Sequence, residues 1–266
     1  MKIKFLIAAE EHLDDIYNQL ADKSERAAII LYNDFLDEIE RLRDFPLIAA
    51  VEPVLINEPQ NFRSLVVRSN YKVIYYHILF DGTNMDQWVG NTVDYILENG
   101  CISLHPSIAH GGNLYTKEEF GNFIFRFEFQ LTPAANNGLG IRTPMEGDAA
   151  YVGMELQILD NEAPVYSKLA PYQYHGSVYG IIPSKRGYLK PVGEWNYQEV
   201  VANGDNIKIT LNGTVILDGN IRKATKDGTA DKKDHSGLFN KKGHIGFLGH
   251  GSPVKFKNIR IKELKN

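Results

Sequence analysis

Residues 123–131 read FIFRFEFQL. Phe123, Phe125, Phe127, Phe129 and Leu131 recur at every second position, with Arg126, Glu128 and Gln130 between them. Successive side chains of a strand point to opposite faces, so this alternation predicts a strand with an apolar inner face and a polar outer one. The texture around it agrees. From Gly82 onward glycines are frequent, aromatics abound and short alternating runs are separated by turn signals. Asn212-Gly213, inside IKITLNGTVIL, suits the type I′ turn of a hairpin, because both central residues need positive φ. GHIGFLG and PVKFKNIRIKEL read as closing strands, and no long helical pattern appears after residue 120. The expected fold is mainly β, a sandwich of antiparallel sheets.

The first part of the chain differs. Residues 1–45 hold neither Gly nor Pro. Leu13, Ile16, Tyr17 and Leu20 share one helical face. Ala27, Ile30, Leu31, Phe35, Leu36, Ile39 and Leu42 form a second stripe, which Pro46 stops. Two β-type runs, SLVVR and YKVIYYHI, follow across a Ser-Asn turn. A helical hairpin plus a short antiparallel sheet is predicted for residues 1–78, and the sandwich for 79–266. YYHI runs into LFDG without a flexible linker, which fits a fusion junction.

Composition excludes some classes. The 266 residues carry a formal charge of −4, which gives no reason to expect nucleic acid or an anionic membrane as partner. Cys101 is the single cysteine, so no intrachain disulfide forms. No apolar run is long enough to span a bilayer. FLIAA is followed at once by Glu10 and Glu11, a poor signal peptide, so the chain as written is expected in the cytoplasm.

The polar residues suggest a sugar site. In YVGMELQILD, Glu155 and Gln157 share one face, opposite Met154, Leu156 and Ile158. Two strands thus each present a Glu and a Gln, the planar donors and acceptors that suit hydroxyls. NNGLGIRTP adds Asn136, Asn137 and Arg142, YQYHGSVYG adds Tyr174, His175 and Tyr179, and EWNYQE adds Trp195. For any one of these residues a solvated strand face or a core position is the simpler reading; their clustering carries the inference.

Two resemblances extend it. LRDFP with FRSLVVRSNYKVIYYHI resembles the RelE/ParE toxin family over residues 1–78, truncated before its last strand and basic tail. Arg63 and Lys72 match basic positions of the RNA-cleaving branch, but Leu65 stands where a second lysine is found. The resemblance implies a scaffold without toxin activity that retains a groove for an antitoxin-like partner. LFDGTNMDQWVG, GNLYTKEEFGNFIFRFEFQLTPAANNGLGIRTP, YVGMELQILDN, YHGSVYGIIP, PVGEWNYQEVVANG and GHIGFLGHGSPVKFKNIRIKEL together resemble the 3-keto-disaccharide hydrolase (DUF1080) family. That resemblance covers residues 79–266 and implies a concanavalin-like jelly roll. Members are typically periplasmic or secreted proteins of Bacteroidetes and related bacteria, at odds with the missing leader here.

The implied substrate is an oligosaccharide or glycoside bearing a ketone at C3. The ketone acidifies the proton on C2; a base removes it, the aglycone leaves C1, and water adds back. Such a site needs a base, an electrophile for the enolate oxygen and an acid for the leaving group. Glu155 or His175 is expected as base, Glu128 as its acid–base partner, and Arg142 or a divalent metal as electrophile. Arg126, Glu128, Glu155, Gln157 and His175 are expected to line one concave cleft, with the remaining residues named above, Gln130 among them, binding substrate. His250 reads as structural and His235 as part of a solvated loop. Two other functions stay open, a two-carboxylate glycosidase using Glu128 and Glu155 and a binding module without catalysis.

Overall fold

The computed structural model of the chain describes residues 3–45, 48–55, 62–68, 70–76, 78–107 and 112–264. They form two compact units, residues 1–77 and 78–266. Pro46, Ser69 and His77 lie outside the described residues.

In the first unit, α1 (Ile7–Ala21) and α2 (Glu25–Arg41) form a helical hairpin. Ser24 caps α2 by accepting from the Ala27 N–H at 3.3 Å, which satisfies one of the amides a helix start leaves open. The buried stripe of α2 is Ala28, Leu31, Phe35 and Ile39. Ile30 and Leu36 are exposed instead, because the stripe follows positions 28, 31, 35 and 39, which leaves them to one side. Leu13, Leu31, Phe35 and Val67 make the core. Val67 comes from a three-stranded antiparallel sheet of β1 (Ala50–Val51), β2 (Phe62–Val67) and β3 (Tyr71–Tyr76).

The second unit is a β-sandwich. Its strands are β4 (Ile78–Phe80), β5 (Trp88–Gly90), β6 (Tyr95–Glu98), β7 (Cys101–Leu104), β8 (Leu114–Phe120), β9 (Phe123–Leu131), β10 (Asn136–Thr143), β11 (Met154–Leu159), β12 (Trp195–Asn203), β13 (Asn206–Leu211), β14 (Thr214–Asn220), β15 (Gly243–Gly249) and β16 (Val254–Glu263). Among the described residues, five make one sheet in the order β11-β10-β15-β8-β5. Eight make the other, in the order β14-β13-β12-β9-β16-β7-β6 with β4 beside β16. Among the described residues, two α-helical turns, α3 (Ala149–Val152) and α4 (Ile221–Ala224), and two 3-10 turns, Pro164–Tyr166 and Pro171–Gln173, complete it. Asn212 and Gly213 both take positive φ, +49° and +87°, in the turn joining β13 to β14.

The alternation in FIFRFEFQL holds throughout. Phe123, Phe125, Phe127 and Phe129 are fully buried between the sheets, and each such ring is worth about 1.5–3 kcal/mol in area removed from water. Phe247 of β15 stacks on Phe256 of β16 with centroids 3.7 Å apart and meets Phe127 edge-on at 5.8 Å. Leu139 lies opposite Phe247, and Leu156 opposite Leu139. This chain of contacts defines the inner face of each sheet, and hence the outer ones. The Tyr95 hydroxyl bridges the sheets by donating to the Phe247 carbonyl at 3.0 Å.

Candidate active site on the five-stranded sheet

Leu156 points inward, so Glu155 and Gln157 project from the outer face of the five-stranded sheet. Opposite them in register stand Gly140 and Gly138 of β10, then Gly246 and Leu248 of β15. The glycines make the site. A Cβ at Gly138 would lie 2.0 Å from the Glu155 carboxylate, and one at Gly246 would lie 2.4 Å from the Tyr115 ring. With no side chains there, Glu155 lies flat over β10 and Tyr115 packs beside it with Leu248 and Ala149.

His250 follows β15 and donates from Nε2 to Glu155 Oε1 at 3.1 Å. Glu155 is only 4% exposed, while the His250 side chain is 42% exposed. The carboxylate is therefore buried beneath its partner, and the imidazole reaches solvent. The bond to Glu155 holds His250 above the usual imidazole range, and partial desolvation opposes it. The Gln157 amide, turned as its neighbours require, donates to Glu155 Oε1 at 3.3 Å and to the Asn137 carbonyl at 3.2 Å. It also lies against the Asn136 side chain at 3.2 Å. Residues 176–179 run alongside β11, where the Tyr179 N–H donates to the Glu155 carbonyl at 2.9 Å. The Tyr179 hydroxyl accepts from Gln173 at 3.1 Å. Its pKa is raised first by burial, then by the charges of Tyr151 and Glu155.

Of the residues expected from sequence, Glu155, Gln157, Asn136 and Tyr179 meet here; the others do not. Arg126, Glu128, Gln130 and Trp195 lie on the outer face of the eight-stranded sheet, because their strand neighbours Phe125, Phe127, Phe129 and Asn196 are the buried ones. Glu128 and Glu155 thus lie on opposite outer faces of the sandwich. The single cleft is corrected, and with it the pairing of Glu128 with Glu155, since a two-carboxylate glycosidase needs both carboxylates beside one bond.

His175 is not in the cleft either. It is fully buried and stacks on Phe129 at 5.2 Å. Its Nδ1 accepts from the Leu159 N–H at 3.4 Å, and desolvation pulls its pKa down to about 4. Asn137 points inward to the Tyr95 hydroxyl, at 3.3 Å. Arg142 is buried and spent on structure, donating to the Gly121 and Gly204 carbonyls and to Asn122. Tyr174 is buried, its hydroxyl on the Tyr166 carbonyl and Arg186 over its ring.

Two histidines read as bland from sequence are the reverse. His250 partners Glu155, and the side chain of His235 is 1% exposed and paired with Asp231. The usable signal was Gly138, Gly140 and Gly246, which leave room on the face that carries Glu155 for its carboxylate and for the Tyr115 ring. Among the described residues no three His, Cys, Asp or Glu side chains converge as a metal site; Glu155 and His250 together offer two donors.

The fold is a jelly-roll sandwich that carries a paired carboxylate and imidazole on one outer face, two groups able to move protons. Residues 76–262 match the model of the 3-keto-alpha-glucoside-1,2-lyase-like domain family, and the chain belongs to that family. A 3-keto-disaccharide hydrolase of Bacteroides thetaiotaomicron is 28% identical, with 71% of this chain and 78% of that protein covered. A Parabacteroides distasonis protein provisionally assigned as a glycosyl hydrolase shares the fold at TM-score 0.62 and 24% identity, covering 71% of this chain and 98% of that one. A second from the same organism aligns at TM-score 0.58 and 23% identity, covering 70% and 93%.

Proposed function

We propose that the sandwich hydrolyses 3-keto-glycosides by elimination and hydration, with Glu155 as base and His250 as acid. The observation that carries this reading is the 3.1 Å Glu155–His250 pair over the glycine floor. Glu155 takes the C2 proton, whose acidity the C3 ketone supplies. The electron pair then forms the C1–C2 double bond as the C1–O bond breaks, and His250 protonates the departing aglycone oxygen. Water adds to C1 and the proton returns to C2, so the net change is hydrolysis. His250 is suited to the acid role because its partner keeps it protonated to higher pH than a free imidazole.

The test is turnover of a 3-keto-glucoside beside the same glucoside unoxidised, and of the keto substrate deuterated at C2. Turnover of the keto sugar alone, slowed by C2 deuterium, is expected. Equal activity on the plain glucoside would overturn the elimination, and binding without product would leave a carbohydrate-binding module.

For residues 1–78 we infer a truncated RelE/ParE-like scaffold without toxin activity. The helical hairpin over a small antiparallel sheet supports this. So does the internal use of its cations, Arg63 on the Ala49 carbonyl and Lys72 on Glu52 at 3.2 Å. Growth arrest on expression of the chain in bacteria would overturn that reading.

A further inference from the structure

The proposed elimination needs a third group, a donor for the C3 oxygen as it gains charge, and neither Glu155 nor His250 supplies it. We infer that the Tyr151 hydroxyl is this donor and that Lys233 polarises it, an assignment that rests on the reading of the preceding subsection.

Tyr151 lies on α3, four residues before Glu155. Ala149 of the same turn packs on Tyr115 and Leu248, so α3 covers the face that carries the carboxylate. Lys233 donates from Nζ to the Tyr151 hydroxyl oxygen at 2.9 Å and lies 5.1 Å from its ring centroid. A phenol that accepts from an ammonium becomes a better donor, and its own proton remains for an outside oxygen.

Lys233 is brought there by a built device. Its backbone N–H donates to Asp231 at 3.1 Å. Asp231 pairs with His235 Nε2 at 3.1 Å, and His235 Nδ1 donates to the Ala150 carbonyl at 3.0 Å, one residue before Tyr151. On the other side the Asp231 N–H donates to the Gly180 carbonyl at 3.2 Å, one residue after Tyr179. A Cβ at Gly180 would lie 2.6 Å from Asp231 and 2.7 Å from His235. A buried His–Asp pair is costly unless its geometry is used, and here it fixes the reach of Lys233 onto Tyr151. Tyr151 and Glu155 raise the Tyr179 pKa and Lys233 lowers it, so the three groups lie near one hydroxyl.

In the step, Glu155 removes the C2 proton and the C2–H pair moves into the C2–C3 bond. The carbonyl π pair moves to the C3 oxygen, which accepts the Tyr151 hydrogen bond. The pair then returns to restore the ketone, the C2–C3 π pair moves into the C1–C2 bond, the C1–O pair leaves with the aglycone oxygen that His250 protonates, and Tyr151 keeps its proton throughout.

The experiment measures kcat and KM on a 3-keto-glucoside for the full chain and for Tyr151→Phe, Lys233→Met and Lys233→Arg. For Tyr151→Phe a fall in kcat of roughly 10²-fold is expected, with KM changed by less than about threefold, since the bond tightens in the transition state. Lys233→Met should fall in the same direction and Lys233→Arg recover part of the loss. An active wild type matched by Tyr151→Phe would overturn the Tyr151 assignment and the Lys233 role with it, while leaving the Glu155–His250 reading standing. Loss in Lys233→Met that Lys233→Arg does not recover, with a lowered melting temperature, would make Lys233 a structural clamp and overturn its role. A wild type inert on every 3-keto-glucoside would overturn the preceding reading, and this inference with it.

Discussion

On the outer face of the eight-stranded sheet, Arg126 meets Glu199 at 2.7 Å, Glu128 accepts from Asn258 and meets Lys257 at 3.5 Å, and Lys257 lies over the Trp195 ring at 4.0 Å. On the outer face of the five-stranded sheet, Glu155 faces Gly138, Gly140 and Gly246, and its charged partner, His250, reaches solvent. Both faces carry a Glu and a Gln from one strand. The first fills its neighbouring positions with long side chains that satisfy one another across the ladder. The second has glycines there, and the space they leave is taken by the Glu155 carboxylate and the Tyr115 ring, so Glu155 lies flat on the sheet with Gln157 and His250 as polar partners. A polar row on a strand is common; a row of glycines beside it is what lets a carboxylate lie down on the sheet and be held by its neighbours.

The largest effect should come from exchanging one oxygen for nitrogen on each face. Glu155→Gln removes the proposed base and should lower turnover of a 3-keto-glucoside by roughly 10²-fold or more. Glu128→Gln should stay within about twofold of wild type. Steady-state assays with melting curves as a fold control make the comparison. Equal losses in the two variants would return both carboxylates to one functional surface and break the distinction.

A third environment, the space between the sheets, predicts an effect on stability rather than rate. His175 titrates at about 4 when folded, against about 6.5 for an unfolded imidazole. Between those values the unfolded chain binds a proton that the folded chain does not, so stability falls as pH drops from about 6.5 to about 4. The full penalty is about 3 kcal/mol. Denaturant titrations of wild type and His175→Gln across that range should show the variant losing less stability on acidification. Parallel curves would mean that His175 is not buried neutral.

The sandwich was legible because a period of two over nine residues has few other readings, and because Asn212-Gly213 encodes its own φ values. The outward direction of Glu155 was legible for the same reason. Alternation, however, fixes a side chain relative to its strand neighbours, not the sheet its strand joins, so Arg126 and Glu155 were read into one cleft though their strands lie in different layers. His175 and His250 misled for a related reason. Both stand beside glycines in short loops, and only the long-range packing decides that one stacks inside on Phe129 while the other reaches Glu155.

The smallest effect sharpens the account of the eight-stranded face. Arg126 and Glu199 sit opposite each other in register on β9 and β12, with side chains 19% and 25% exposed. A cross-strand pair that still reaches solvent gains little, because water partly screens the attraction and two long side chains lose freedom. A double-mutant cycle of Arg126→Ala and Glu199→Ala, read by chemical denaturation, should give a coupling of about 0.2–1 kcal/mol. The coupling should shrink further in high salt, where the screening length falls to about 3 Å. Turnover of the keto substrate should be unchanged in all three variants, since no part of the Glu155 cleft touches this face. A coupling of several kcal/mol would mean the pair is desolvated by something seated on it. Lost turnover in either single variant would make the eight-stranded face a working surface of the enzyme.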